Sequence, residues 1–96
     1  MRLFVLLALL WPTLVGAQAP ARVLNYCQSL TEHRAFYVRQ MVKLNANDER
    51  IHIRNESSWE KSVISYMIQK MRSHPELSEK ELRILGYTYC VERRPN

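Results

Sequence analysis

Of the chain's 96 residues only 2 are glycine and 4 are proline, and past the first 17 positions the one glycine is Gly86. That scarcity excludes a glycine-rich phosphate loop and a G-x-S-x-G nucleophile elbow, both of which need glycine where the backbone turns sharply. Strand patterning is nearly absent. The one alternating run, Arg50 to Arg54 (RIHIR), has no second run to pair with, and an isolated strand pair is marginal in water. After the opening residues there is no run of about 18 apolar residues, the length a spanning helix needs. The basic residues form no stripe: 14 Lys and Arg stand among 9 Asp and Glu, and a nucleic-acid surface is not expected from this scatter. The three histidines, His33, His52 and His74, share no i, i+4 spacing and have no spare cysteine beside them, so no metal site or cofactor is expected. No serine, histidine and acid stand together in a recognisable motif, and the chain is not expected to be an enzyme.

What is present begins with targeting. Arg2 is a short positive region, Leu3 to Trp11 an apolar run broken by Pro12, and Val15-Gly16-Ala17 a small-residue cleavage signal. Residues 1–17 read as a signal peptide, too short in its apolar part to span a bilayer. Cleavage after Ala17 is favoured over Ala19, which would leave Pro20 next to the cut. Removing 17 of the 96 residues leaves 79, with 13 basic against 9 acidic residues and a formal charge of +4. Residues 18–96 then form one small helical domain with a frayed tail over 93–96, and no transmembrane segment remains after cleavage. A basic surface of this strength is either plainly solvated or attracted to anionic envelope surfaces.

Cys27 and Cys90 are the only cysteines. In an exported chain they are expected to pair, stapling the first helix to the last. With 62 residues between them, the chain-entropy relation gives roughly 4 kcal/mol of stabilisation. A redox role would call for closer spacing, as in Cys-x-x-Cys.

The apolar spacing elsewhere is helical. From about Pro20 or Ala21 to Leu44, a wheel places Val23, Cys27, Leu30, Tyr37, Val38 and Met41 in one arc, and Asn45-Ala46-Asn47-Asp48 ends the run. The connector 48–54 reads as a short helical turn that buries Ile51 and Ile53. Ser57 with Glu60 has capping-box spacing, with Ser58 competing, ahead of Trp59, Val63, Ile64, Tyr66, Met67 and Met71 on one face. Pro75 ends that helix. Ser78 with Glu81 is a second capping box, ahead of Leu82, Leu85 and Tyr89. Gly86 in a helix costs about 1 kcal/mol against alanine, which suits a close approach of the first helix's backbone. The fold class is therefore all-α: a small three-helix bundle, with a possible extra helical turn at 48–54, closed by one disulfide.

Arg34 falls in the middle of the first helix's apolar arc. A buried unpaired guanidinium is very costly. It therefore makes an ion pair or a helix-end contact inside the fold, with Glu76, Glu79, Glu81 or Glu92 as candidates, or it snorkels, or it lines an open cleft and meets a ligand. Phe36 lies opposite the arc, and Ile84, Tyr87 and Val91 lie off the main face of the last helix. Several such residues together would mark a binding surface. Arg34, Phe36 and Tyr87 are the candidate binding residues, for a protein partner. Asn55-Glu56-Ser57 is also a glycosylation sequon, usable in a eukaryote.

The short signal, the cysteine in the first helix, the closing stretch HPELSEKELRILGYTYC and the basic tail together resemble small, secreted, one-disulfide helical proteins of the Gram-negative periplasm. The resemblance spans residues 18–96 and rests on layout. It implies a periplasmic or secreted protein with no known active site. Three functions fit: a protein-binding module of the inhibitor or immunity kind, a periplasmic chaperone or stress factor, and a secreted eukaryotic helical peptide factor.

Overall fold

A computed structural model describes residues 19–52 and 55–95. The expected signal peptide and its cleavage point, and the expected burial of Ile53, lie outside the described residues. Four helices and no strand occur among those described: α1 (Ala21–Lys43), α2 (Asp48–Ile51), α3 (Ser58–Ser73) and α4 (Glu79–Glu92). The all-α bundle of three long helices is as the apolar spacing requires, and the connector supplies one short helical turn, as α2.

Each helix end has a local cause. Pro20 precedes α1, where its missing N–H removes nothing from the helix. At the other end Asn45 takes a positive φ of 57°. The Asn45 N–H then donates to the Val42 carbonyl and the Ala46 N–H to the Met41 carbonyl, each at 3.0 Å. This is a Schellman close, with asparagine where glycine is more usual. Asn47 caps α2 by accepting from the Arg50 N–H at 3.0 Å. Ser57, not Ser58, caps α3, accepting from the Glu60 N–H at 3.1 Å. At α4 the capping box is complete: Ser78 Oγ accepts from the Glu81 N–H, and Glu81 accepts from the Ser78 N–H at 2.9 Å.

α1 packs against both α3 and α4. It runs antiparallel to α4: Cys27 meets Cys90 near one end, with Cα atoms 5.7 Å apart, and Arg39 Nε donates to the Leu77 carbonyl at the other. α3 and α4 are matched by Tyr66 stacked on Tyr89 at 4.1 Å and by Trp59 Nε1 donating to the Cys90 carbonyl at 2.9 Å. The core holds Cys27, Leu30, Ala35 and Val38 from α1, Ile51 from α2, Val63, Ile64, Met67, Ile68 and Met71 from α3, and Leu82 and Cys90 from α4.

Two expectations change at this level. The buried arc of α1 is rotated toward Thr31 and Ala35, leaving Tyr37 at the solvent edge. Small side chains on that side let α4 come close. The Thr31 hydroxyl is satisfied by donating back to the Cys27 carbonyl at 2.8 Å. At Gly86 the close neighbour is the Met67 side chain of α3, not the backbone of α1. A Cβ built on Gly86 would stand 2.7 Å from Met67 Sδ.

Candidate functional site

Arg34 is 5% exposed, and it faces the connector between α1 and α3. Its Nη2 donates to the Ile51 carbonyl at 3.2 Å and to Glu56 Oε2 at 3.1 Å. The partner acid is therefore Glu56, and not Glu76, Glu79, Glu81 or Glu92. Wheel reasoning favoured acids on or before the last helix. The connector folds back over α1 instead, and it brings with it the C-terminal carbonyl of α2, a group that has no partner within its own helix. The guanidinium carbon sits 5.6 Å from the centre of the Tyr37 ring. Arg34 Nε is buried without a hydrogen-bond partner among the described residues.

The network continues from Glu56. Its other oxygen, Oε1, is 2.7 Å from His52 Nδ1, and His52 Nε2 is 3.3 Å from Ser65 Oγ on α3. The exposure rises along this path, from 4% for the Glu56 side chain to 15% for His52, and Ser65 is exposed. A carboxylate only accepts hydrogen bonds. In the neutral imidazole the proton is therefore on Nδ1, and Nε2 is left to accept from the Ser65 hydroxyl. A serine, a histidine and an acid that share no sequence motif are thus in register in space. Glu56 was hidden in the sequence by its place between a sequon asparagine and a cap serine. His52 and Glu56 do stand four apart, but in a connector where helical spacing carries no expectation.

Arg34 is not alone in tying a connector to a helix. Arg72 on α3 donates to the Ala46 carbonyl at 3.2 Å and pairs with Asp48 at 2.6 Å, while Arg39 holds the Leu77 carbonyl of the α3–α4 loop at 3.0 Å. Each uses the guanidinium fork to satisfy loop carbonyls that no helix serves.

The other candidate residues lie elsewhere on the surface. Tyr87 and Val91 are not left off the core as the wheel suggested; both pack against it, half-buried. Tyr87, with Gln28, Thr31, Glu32, Arg83 and Ile84, lines an open groove of about 350 Å³ between α1 and α4. That is the low end of ligand-cavity volumes, and the groove is open, so it suits an inserted side chain better than an enclosed small molecule. Ile84 in the groove is 54% exposed, and so is Phe36, one helical turn past Glu32. Arg34 is thus engaged with the connector while Tyr87 lines the α1–α4 groove, and they do not share a site.

Two charge effects are resolved near the helix starts. Burial of the Tyr26 ring, which lies 4.6 Å from Trp59 between centroids, raises the phenol above its ordinary value, and the Glu60 and Glu56 charges add to this. The Ser78 N–H and then its hydroxyl hold the Glu81 carboxyl below the ordinary range. Among the described residues no group of three or more His, Cys, Asp or Glu is placed to hold a metal ion. No described helix is long and apolar enough to cross a membrane. Comparison with protein-family models, curated proteins and solved structures finds no match.

Proposed function

We propose that the chain is an exported helical module, periplasmic or secreted, that binds another protein in the manner of an inhibitor or immunity protein. The observation that carries this reading is the exposure of Ile84 in the α1–α4 groove, which has Glu32 and Arg83 at its polar edges and Tyr87 as an aromatic wall, with Phe36 also exposed one helical turn past Glu32. Large apolar side chains flanked by charges of both signs are the usual makings of a contact surface, with an aromatic anchor and a polar rim. Export is supported by the opening sequence and by the buried Cys27–Cys90 bond, since such bonds persist in oxidising compartments.

The test is a pair of surface substitutions, Ile84→Ser in the groove and Phe36→Ser one turn past Glu32, chosen because neither residue belongs to the core. Wild-type protein immobilised through its tail should retain a specific protein from an extract of the compartment it is exported to. The purified pair should then bind in solution, and the double substitution should weaken that binding by at least about tenfold, or 1.4 kcal/mol, without shifting the melt. Binding that is unchanged by both substitutions would remove the groove from the account.

A further inference from the structure

We propose that Ser65 is an activated nucleophile, with His52 as its general base and Glu56 and Arg34 as positioning residues, and that it reacts with carboxylic esters of small acyl or aryl groups. None of these residues lines the α1–α4 groove, so the proposal is independent of it.

Arg34 takes Glu56 Oε2 and leaves Oε1 aimed at His52 Nδ1, 2.7 Å away. That contact fixes both the orientation of the ring and its tautomer, so that Nε2 presents a lone pair to Ser65 Oγ at 3.3 Å. Nucleophile, base and orienting acid thus stand in hydrogen-bond sequence, the arrangement that activates a hydroxyl otherwise too weakly acidic to react at neutral pH. A surface serine on a helix points to solvent or returns its hydroxyl to the carbonyl four residues back, as the Thr88 hydroxyl does to Ile84 at 3.0 Å. Ser65 is instead bonded across to another element.

The hydroxyl is also accessible. Ser65 lines an open surface hollow of about 510 Å³ with Lys61, Ser62, Tyr66, Gln69 and Tyr89. The Tyr66–Tyr89 stack gives a flat apolar wall for an acyl or aryl group. Lys61 and Gln69, one turn before and after Ser65, place an ammonium and an amide N–H₂ on the same helix face. They are the donors available to a developing oxyanion, because the backbone N–H groups within α3 are engaged in the helix.

In the first half-reaction Ser65 Oγ bonds to the ester carbonyl carbon as His52 Nε2 takes the hydroxyl proton. The tetrahedral adduct then expels the alkoxide, which takes that proton from Nε2 and leaves as the alcohol, with the acyl group on Ser65. In the second, water attacks the acyl carbon, His52 Nε2 accepts a water proton and returns it to Ser65 Oγ, and the carboxylic acid departs. The sum is ester plus water to acid plus alcohol. Side-chain oxyanion donors are less preorganised than a backbone pair, so acylation is the step to measure rather than turnover.

The experiment treats the oxidised protein with a fluorophosphonate. Ser65 Oγ would bond to phosphorus, fluoride would leave, and the proton would pass to His52. A single adduct that maps to Ser65, forming on the order of 10²-fold faster than in the urea-unfolded protein, is the expected result. Ser62, in the same hollow but with no histidine partner among the hydrogen bonds found, is the internal control. Ser62→Ala should keep the adduct and Ser65→Ala should abolish it. His52→Ala should slow labelling on a similar scale, and added imidazole should restore part of the rate. Should His52→Ala not fold, the wild-type pH profile decides: the rate rises to a plateau when a titrating base acts, and climbs without limit when hydroxide alone does. Adducts spread over several hydroxyls, equal rates in folded and unfolded protein, or a profile without a plateau would each overturn the assignment.

Discussion

Arg34 is the residue on which the architecture turns. Its place among Leu30, Val38 and Met41 is paradoxical on a wheel and explained in space, because the connector returns over α1 and brings Glu56 and the Ile51 carbonyl within 3.1 and 3.2 Å. A buried pair contributes little net stability, but removing one member strands the other. Arg34→Ala should therefore destabilise the fold by about 3–5 kcal/mol in denaturant melts. Arg34→Met keeps the stem but removes the guanidinium from a Glu56 side chain that is 4% exposed, with His52 still beside it, so it should remain clearly destabilising and cost no more than alanine. Equal stability of wild type and Arg34→Met would show that Glu56 does not depend on the guanidinium. At Gly86, alanine would gain about 1 kcal/mol of helix propensity. Against this, its Cβ would press on Met67 Sδ at 2.7 Å in a closed core, and overpacking of that kind costs about 1–3 kcal/mol. Gly86→Ala should be destabilising on balance. In a double-mutant cycle Met67→Ala should cost less in the Gly86→Ala background than alone, and strict additivity would mean the two side chains do not compete.

At the scale of elements, sequence was most informative where a local chemical rule acts. The Ser78–Glu81 box, the Ser57 cap and the ends of the three long helices follow from residues only a few positions apart. The same rules make sharp predictions. Asn45 sits at φ 57°, where a Cβ-bearing residue without a short polar side chain is strained. Asn45→Ala should cost about 1–2 kcal/mol in a thermal or urea melt, and Asn45→Gly should cost nothing or stabilise. A larger loss for glycine than for alanine would contradict the Schellman close. At α4, Glu81 is held below its ordinary value of 4.5 by the Ser78 N–H and hydroxyl. The fold thus binds the carboxylate form more strongly than the unfolded chain does. The contribution is complete above the unfolded value and is lost as pH falls through the lower folded one. From about pH 5 down to pH 3, wild type should lose stability faster than Glu81→Gln, which keeps an acceptor but does not titrate. Parallel pH profiles would mean that the charge of Glu81 adds nothing to the cap.

Across the whole molecule, the features that the sequence did not disclose are those that join distant segments. Wheel analysis placed the core face of α1 to within a rotation, but it did not show that Thr31 and Ala35 would be buried, since their burial depends on how closely α4 approaches. It offered the wrong acids for Arg34 and no reason to group His52, Glu56 and Ser65, because a connector without a repeat has no face to count. Tyr87, an off-face residue on the wheel, packs against the core, and the groove around it exists only once α1 and α4 lie antiparallel. The disulfide was legible because two cysteines permit a single intramolecular pairing. Beyond that bond, a bundle this small has a thin core, and beside the buried Ile51 three arginines tie its loops to the helices: Arg34 to Ile51 and Glu56, Arg39 to Leu77, Arg72 to Ala46 and Asp48.

The central claim is that these ties make the connector part of the same cooperative unit as the three long helices. Native-state hydrogen exchange on the oxidised protein tests it most directly. The amides of Ile51 and His52, bonded to the Asn47 and Asp48 carbonyls, would otherwise belong to a one-turn helix too short to persist alone. The account predicts that they open with the same free energy as the core amides of Val63 and Leu82, by global unfolding. Exchange of Ile51 and His52 through a local opening near zero free energy, while Val63 and Leu82 stay protected, would contradict it.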